Sequence, residues 1–123
     1  IELPRWKARV ALVTGASSGI GRAAALALAR VGLHVALAGR RTSALRAVAR
    51  QIEKAGSKAL VIPGDLTEAG TAQENIRLVI EAWGRLDVLV NNAGVPGGRG
   101  FLAADPAVIV QHIMIEPGAV PGH

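Results

Sequence analysis

The sequence predicts an α/β fold, a doubly wound parallel sheet, and three observations carry that prediction. Short apolar runs alternate with helix-length amphipathic segments. Three of those segments end at a glycine (Gly32, Gly56, Gly84), and each glycine is followed by another apolar run. The first apolar run turns through three glycines into an alanine-rich segment, residues 14–21 reading Thr-Gly-Ala-Ser-Ser-Gly-Ile-Gly. At 123 residues, half of them hydrophobic, the chain fits one domain with a real core, well patterned over 8–93 and irregular over 94–123.

The elements follow in order. Residues 9–14 form the first strand. A helix runs from Gly19 to Val31 with Ile20, Ala24, Ala27, Leu28 and Val31 as its inward face and Gly32 past its end. Residues 34–39 are a second strand. Thr42 or Ser43 caps the second helix, whose inward face is Leu45, Val48, Ala49 and Ile52, and Gly56 ends it. The third strand is Lys58 to Ile62, stopped by Pro63-Gly64. Thr67 caps a third helix with Glu68 in its first turn, Ile76, Val79, Ile80 and Trp83 as its stripe, and Gly84 at its close. Leu86 to Val90 is the fourth strand. Right-handed crossovers give the order 3-2-1-4 and place a crevice at the carboxyl ends of strands one and four. Beyond Asn91 we expect a Gly/Pro loop over 94–100 and a short helix over Ala107 to His112, begun by Asp105-Pro106. A short fifth strand, Ile113 to Ile115, is expected parallel beside strand four.

Composition narrows the partners. Net charge is +5 and the isoelectric point near 11.1, but in sequence the basic residues stand singly apart from Arg40-Arg41. Only Trp6, Trp83 and Phe101 offer aromatic surface, so no nucleic-acid partner is expected. No apolar run approaches the ~20 residues of a membrane span, and no membrane partner is expected. The absence of cysteine excludes disulfides and thiolate metal sites and fits a cytoplasmic protein. His34, His112 and His123 follow no metal-ligand pattern. The chain begins at Ile1 and its one methionine is Met114, which suggests a processed chain or part of a longer reading frame.

Four motifs carry chemistry. In the first turn, Gly15 permits the tight bend, Gly19 lets backbone approach a pyrophosphate, and Gly21 lets the helix lie close to the strand. The helix start aims unpaired N–H groups and the positive dipole end at an anion. A bare strand-to-helix turn is the alternative. Arg40 and Arg41 follow strand two, where an acid would read a ribose, and no Asp or Glu lies between Glu2 and Glu53. An arginine there suits a 2′-phosphate, which favours NADP(H) over NAD(H); a solvated basic pair is the alternative. Asp65, after strand three, either accepts from an adenine amino group or is a turn residue. Asn91-Asn92-Ala93-Gly94 either ties strand four to its neighbours beside a ligand or is an Asn-rich turn.

Taken together and in this order, the turn at 14–21, Arg40-Arg41, Asp65-Leu66 and Asn91-Asn92-Ala93-Gly94 resemble the short-chain dehydrogenase/reductase family over about residues 8–110. The resemblance implies a Rossmann-type fold and NAD(P)(H)-linked oxidoreduction of an alcohol or carbonyl. By the same carry-over Ser17, Ser18, Ile20 and Arg40 line the adenosine-phosphate half, Asp65 and Leu66 hold adenine, and Asn92, Ala93 and Gly94 flank the cofactor's ribose. The family's proton transfer uses a tyrosine with a lysine, a serine and an asparagine, all later in its order than the Asn-Asn-Ala-Gly motif. Here the last serine is Ser57, the last lysine Lys58 and the last asparagine Asn92, and tyrosine is absent. No catalytic residue is therefore assigned, and the chain alone is expected to be inactive. The alternative reading is a non-catalytic dinucleotide-binding module or a partner of a full-length homologue. Arg99, Asp105, His112 and Glu116 match no triad or metal template.

The segment Ile115 to Val120 resembles the family's stretch after its sixth strand, with Gly122 where a threonine is usual. That likeness suggests an internal join past the catalytic segment. Strand four would then keep an exposed edge open to self-association.

Overall fold

The computed structural model of the chain describes residues 7–17, 19–65, 70–92 and the backbone of 109–115. Its elements are β1 (Val10–Thr14), α1 (Gly19–Arg30), β2 (His34–Gly39), α2 (Thr42–Lys54), β3 (Ala59–Pro63), α3 (Thr71–Trp83), β4 (Leu86–Asn91) and β5 (Ile109–Ile115). They build a sheet of order β3-β2-β1-β4-β5, so the expected 3-2-1-4 core is present. β1 pairs in parallel with β2 (Leu12 beside Ala36) and with β4 (Leu12 beside Leu89), and β2 pairs in parallel with β3 (Ala36 beside Leu60).

The fifth strand corrects the sequence reading. It runs antiparallel to β4, with Asn91 opposite Ile109 and Leu86 opposite Ile115. An antiparallel neighbour needs only that the chain turn back, whereas a parallel one needs a crossover to the far end of the sheet. The strand also absorbs residues 109–112, expected in a helix; Ile109 and Val110 have the branched side chains that suit a strand. β4 therefore has a neighbour on each side, and the open strand-four edge that self-association would use is covered by β5.

Alternation along the strands feeds two cores. Ala11, Val13, Val35, Leu37, Val88 and Val90 face α1 and α2, where Leu45, Val48 and Ile52 meet them. Val10, Leu12, Ala36, Ala38 and Ile62 face α3 and its Val79 and Ile80. The inward face of α2 is as expected. That of α3 is too, with Asn75 added, its Nδ2 having no hydrogen-bond partner among the described residues. α1 differs: Gly21, Ala25 and Ala29 are buried, whereas Ile20 is 47% exposed and Ala27 is exposed. Close approach to the sheet selects a stripe of the smallest side chains one turn apart, and the larger apolar residues flank it.

Helix ends also differ in part. α2 has Arg41 at its N-cap and no side-chain cap from Thr42 or Ser43. α3 starts at Thr71 after Gly70; the expected cap Thr67 and Glu68 lie outside the described residues. Gly84 closes α3 in the left-handed conformation (φ 80°), as its position in sequence suggests.

Two polar features pin the amino-terminal end of the sheet. Asp87, 1% exposed, accepts the Val10 N–H at 2.8 Å and both Nε and Nη2 of Arg85 at 2.9 Å, with an Arg9 nitrogen at 3.7 Å. Sequence reading passed over it. Asp87→Ala leaves the buried Val10 N–H unsatisfied, so we expect a loss of about 1–3 kcal/mol in urea-unfolding free energy, with Asp87→Asn losing less because its amide oxygen still accepts. His34 Nδ1 accepts the Lys58 N–H at 3.2 Å, and its ring lies 5.9 Å from that of Trp83. Burial, then the Lys58 charge, lowers the His34 pKa below its ordinary 6.5. The unfolded chain therefore binds this proton more readily than the folded one. The stabilisation is full above pH 6.5 and is lost as pH falls toward the lowered folded value. Melting temperature should drop on acidification through that window, and His34→Gln should flatten this part of the profile.

Candidate dinucleotide site

The crevice at the carboxyl ends of β1 and β4 is built from backbone geometry first. Gly15 (φ 63°) and Gly19 (φ 61°) both occupy the left-handed region that glycine enters without steric cost. They turn the chain from the end of β1 into α1, and the Ala16 N–H bonds to the Ala38 carbonyl at 3.3 Å, anchoring the turn to β2. At Gly21 a Cβ would lie 2.1 Å from the Gly15 carbonyl oxygen and 2.8 Å from Asn92 Nδ2. The third glycine thus sets how closely α1 docks on the turn.

β4 closes the other side. The Thr14 hydroxyl accepts the Asn92 N–H at 2.9 Å and donates to Asn91 Oδ1 at 3.1 Å. The Asn92 side chain then donates to the Gly15 carbonyl at 3.1 Å. The expectation that the Asn amides tie strand four to its neighbour is met by these three bonds. The sequence reading missed Thr14 as the centre of the tie, although a threonine ending an apolar strand beside a glycine turn is a visible signal.

The remaining candidates follow the strand order. Arg40 and Arg41 leave β2 exposed to solvent, and Asp65, half-buried, follows β3. The Gly64 N–H bonds to the Gly39 carbonyl at 2.8 Å, and the Thr71 hydroxyl to the Asp65 carbonyl at 3.1 Å. Asp65, the arginine pair, the glycine turn and Asn91-Asn92 therefore lie in sequence along one edge of the sheet, β3 to β2 to β1 to β4. Ser17 sits in the turn and Ile20 in the first turn of α1; Ser18, Leu66, Ala93 and Gly94 lie outside the described residues.

Electrostatics suit an anion here. Neither α1 nor α2 has an acid in its first turn, so no side-chain carboxylate on either helix occupies the positive end of its dipole. α3 does have one, Glu74, whose pKa is lowered by its hydrogen bonds from Arg77. Among the described residues no group of three His, Asp or Glu could hold a metal, and no helix is long and apolar enough to cross a membrane. Positive-φ glycines, a close helix dock and acid-free helix starts fit a pyrophosphate-bearing dinucleotide.

Comparison with known proteins agrees with this geometry. A human protein, dehydrogenase/reductase SDR family member 7, is 36% identical over 119 residues, covering 92% of this chain and 34% of that protein. An uncharacterized oxidoreductase of Myxococcus xanthus is 47% identical over 89 residues, 72% of this chain and 35% of that protein. The chain spans about a third of the length of these two relatives. Among solved structures, L-sorbose reductase from Gluconobacter frateurii, complexed with NADPH and L-sorbose, superimposes with TM-score 0.68 at 36% identity over 73% of this chain and 35% of that one. A putative short-chain alcohol dehydrogenase from Sinorhizobium meliloti gives TM-score 0.68 at 41% identity over 76% of this chain and 36% of that one. The family described as short chain dehydrogenase matches residues 9–116, and with the sheet order and the glycine turn this places the chain in the short-chain dehydrogenase/reductase family.

Proposed function

We propose that this chain is the cofactor-holding part of a short-chain dehydrogenase/reductase, that it prefers NADP(H) to NAD(H), and that it has no proton-transfer group of its own. One observation carries the preference. Arg40 and Arg41 stand at the end of β2, with no acid among residues 3–52, in line with the glycine turn on β1. The NADPH in the Gluconobacter reductase supports the same reading by likeness.

Each residue then has a task. N–H groups of the 15–21 turn and the start of α1 hold the pyrophosphate, with the Ser17 and Ser18 hydroxyls beside them. Arg40 and Arg41 hold the 2′-phosphate through charge-assisted bonds. The Asp65 carboxylate accepts from the adenine amino group, with Leu66 against the ring. Asn91 and Asn92 keep β4 fixed to β1, and Ala93 and Gly94 leave room for the ribose. When bound, the dinucleotide supplies or accepts a hydride. The tyrosine that moves the accompanying proton in the family is not among these residues.

We expect the purified chain to bind NADPH and to oxidise none of it in the presence of a panel of aldehydes and ketones. Turnover that survives loss of His112 and Glu116 contradicts this reading. The absence of tyrosine also favours a second role, as a binding module or partner of a full-length homologue; co-purification with such a homologue supports it, and a strictly solitary chain argues against it.

A further inference from the structure

Basic residues that look scattered in sequence gather in the fold. Eight of the fourteen Lys and Arg lie between Gly19 and Lys58, the stretch that contains α1 and α2, against a single acid there, Glu53. Both helices pack on one face of the sheet. On α2, Arg46, Arg50 and Lys54 recur every fourth residue and are exposed. Among the described residues none of the three pairs with a carboxylate. The opposite face is balanced: on α3, Arg77 sits between Glu74 and Glu81 and pairs with both.

Part of this stripe works against its own helix, although Lys54 in the last turn suits the negative end of the dipole. Like charges four residues apart repel, and Arg41 at the N-cap meets the positive end of the dipole. Its direction is informative: α2 starts beside Arg40-Arg41, so the stripe leads to the proposed 2′-phosphate position. Arg46 lies about 6 Å and Arg50 about 12 Å from the helix start along the axis. Those spans are comparable with a Debye length of ~8 Å at physiological salt and well inside ~30 Å in dilute buffer.

Resting on the NADP(H) reading, we propose that Arg46, Arg50 and Lys54 guide the cofactor electrostatically. They speed its capture without touching it. A 2′-phosphate adds negative charge, so the guide favours NADP(H) over NAD(H) in association rate as well as in affinity. Among the described residues of α1 and α2 the one acid is Glu53, one turn along α2 from Arg50.

The test is stopped-flow association of NADPH and NADH with the whole chain, the Arg46→Gln/Arg50→Gln/Lys54→Gln variant and the corresponding triple Glu variant, in dilute buffer and at high salt. The Gln variant should associate with NADPH about threefold more slowly in dilute buffer and the Glu variant about tenfold. The difference should vanish at high salt, the dissociation rate should hold, and NADH should be affected less. A stripe that acts only structurally would instead raise the dissociation rate and lower the melting temperature. A parent chain that binds NADPH while both variants keep its association rate overturns the guide alone. A folded parent that does not bind NADPH overturns the cofactor reading and the guide with it.

Discussion

Gly21→Ala is expected to destabilise the chain and weaken its cofactor crevice together. The new Cβ would sit 2.1 Å from the Gly15 carbonyl oxygen, a backbone atom that cannot swing aside, and 2.8 Å from Asn92 Nδ2. Relief requires α1 to lift from β1 or the turn to unwind. Either movement breaks the 3.1 Å bond from Asn92 to Gly15 that ties β4 to the turn. Overpacking of this kind costs about 1–3 kcal/mol, and a lost hydrogen bond about 1 more. The urea midpoint should fall accordingly, and NADPH affinity should fall by at least about tenfold, since one decade corresponds to ~1.4 kcal/mol. Gly19→Ala is the comparison. Its Cβ meets open space, so only the cost of a positive φ of 61° remains, about 1–2 kcal/mol. If Gly21→Ala is no more destabilising than Gly19→Ala, the close dock of α1 on the turn is not what holds the crevice together.

Arg40→Ala/Arg41→Ala should separate the two coenzymes. Hydrogen bonds from a charged group are worth about 1.5–3 kcal/mol each, so losing the pair should weaken NADPH by about tenfold to a hundredfold or more. NADH, which lacks the 2′-phosphate, should bind nearly as before. The fold should be unaffected, because both side chains are exposed and α2 takes no side-chain cap from Arg41. Arg40→Asp should go further and favour NADH, since an acid at this strand end can accept from ribose hydroxyls. Equal losses for both coenzymes would place the arginines outside 2′-phosphate recognition.

Much of this architecture is legible from local pattern. Apolar runs four to six residues long, each helix-length segment closing on glycine, give β1 to β4 and the helices between them. The glycine turn is legible because Gly15 and Gly19 adopt φ values that other residues enter at a cost. What escapes is whatever depends on a distant partner. β5 has the same local signature whether it runs parallel or antiparallel, and its direction is set by how the chain returns. Ile20 looks like a core residue by hydrophobicity, but Gly21 draws α1 so close that the Ala25–Ala29 stripe takes the inside. Asp87 looks like a stray charge in an apolar strand, because its partner, the Val10 N–H, is 77 residues earlier. Thr14 and Asn92, 78 residues apart in sequence, become neighbours only when β1 and β4 pair. The basic stripe of α2 is visible as spacing, but that it pairs with no carboxylate among the described residues emerges only in the fold.

The most direct test of the central claim is calorimetric titration of the purified chain with NADPH and with NADH, with far-ultraviolet circular dichroism on the same sample to show that it is folded. The account predicts saturable binding of both coenzymes, tighter for NADPH. A folded chain that takes up neither, or that binds NADH more tightly than NADPH, would contradict it.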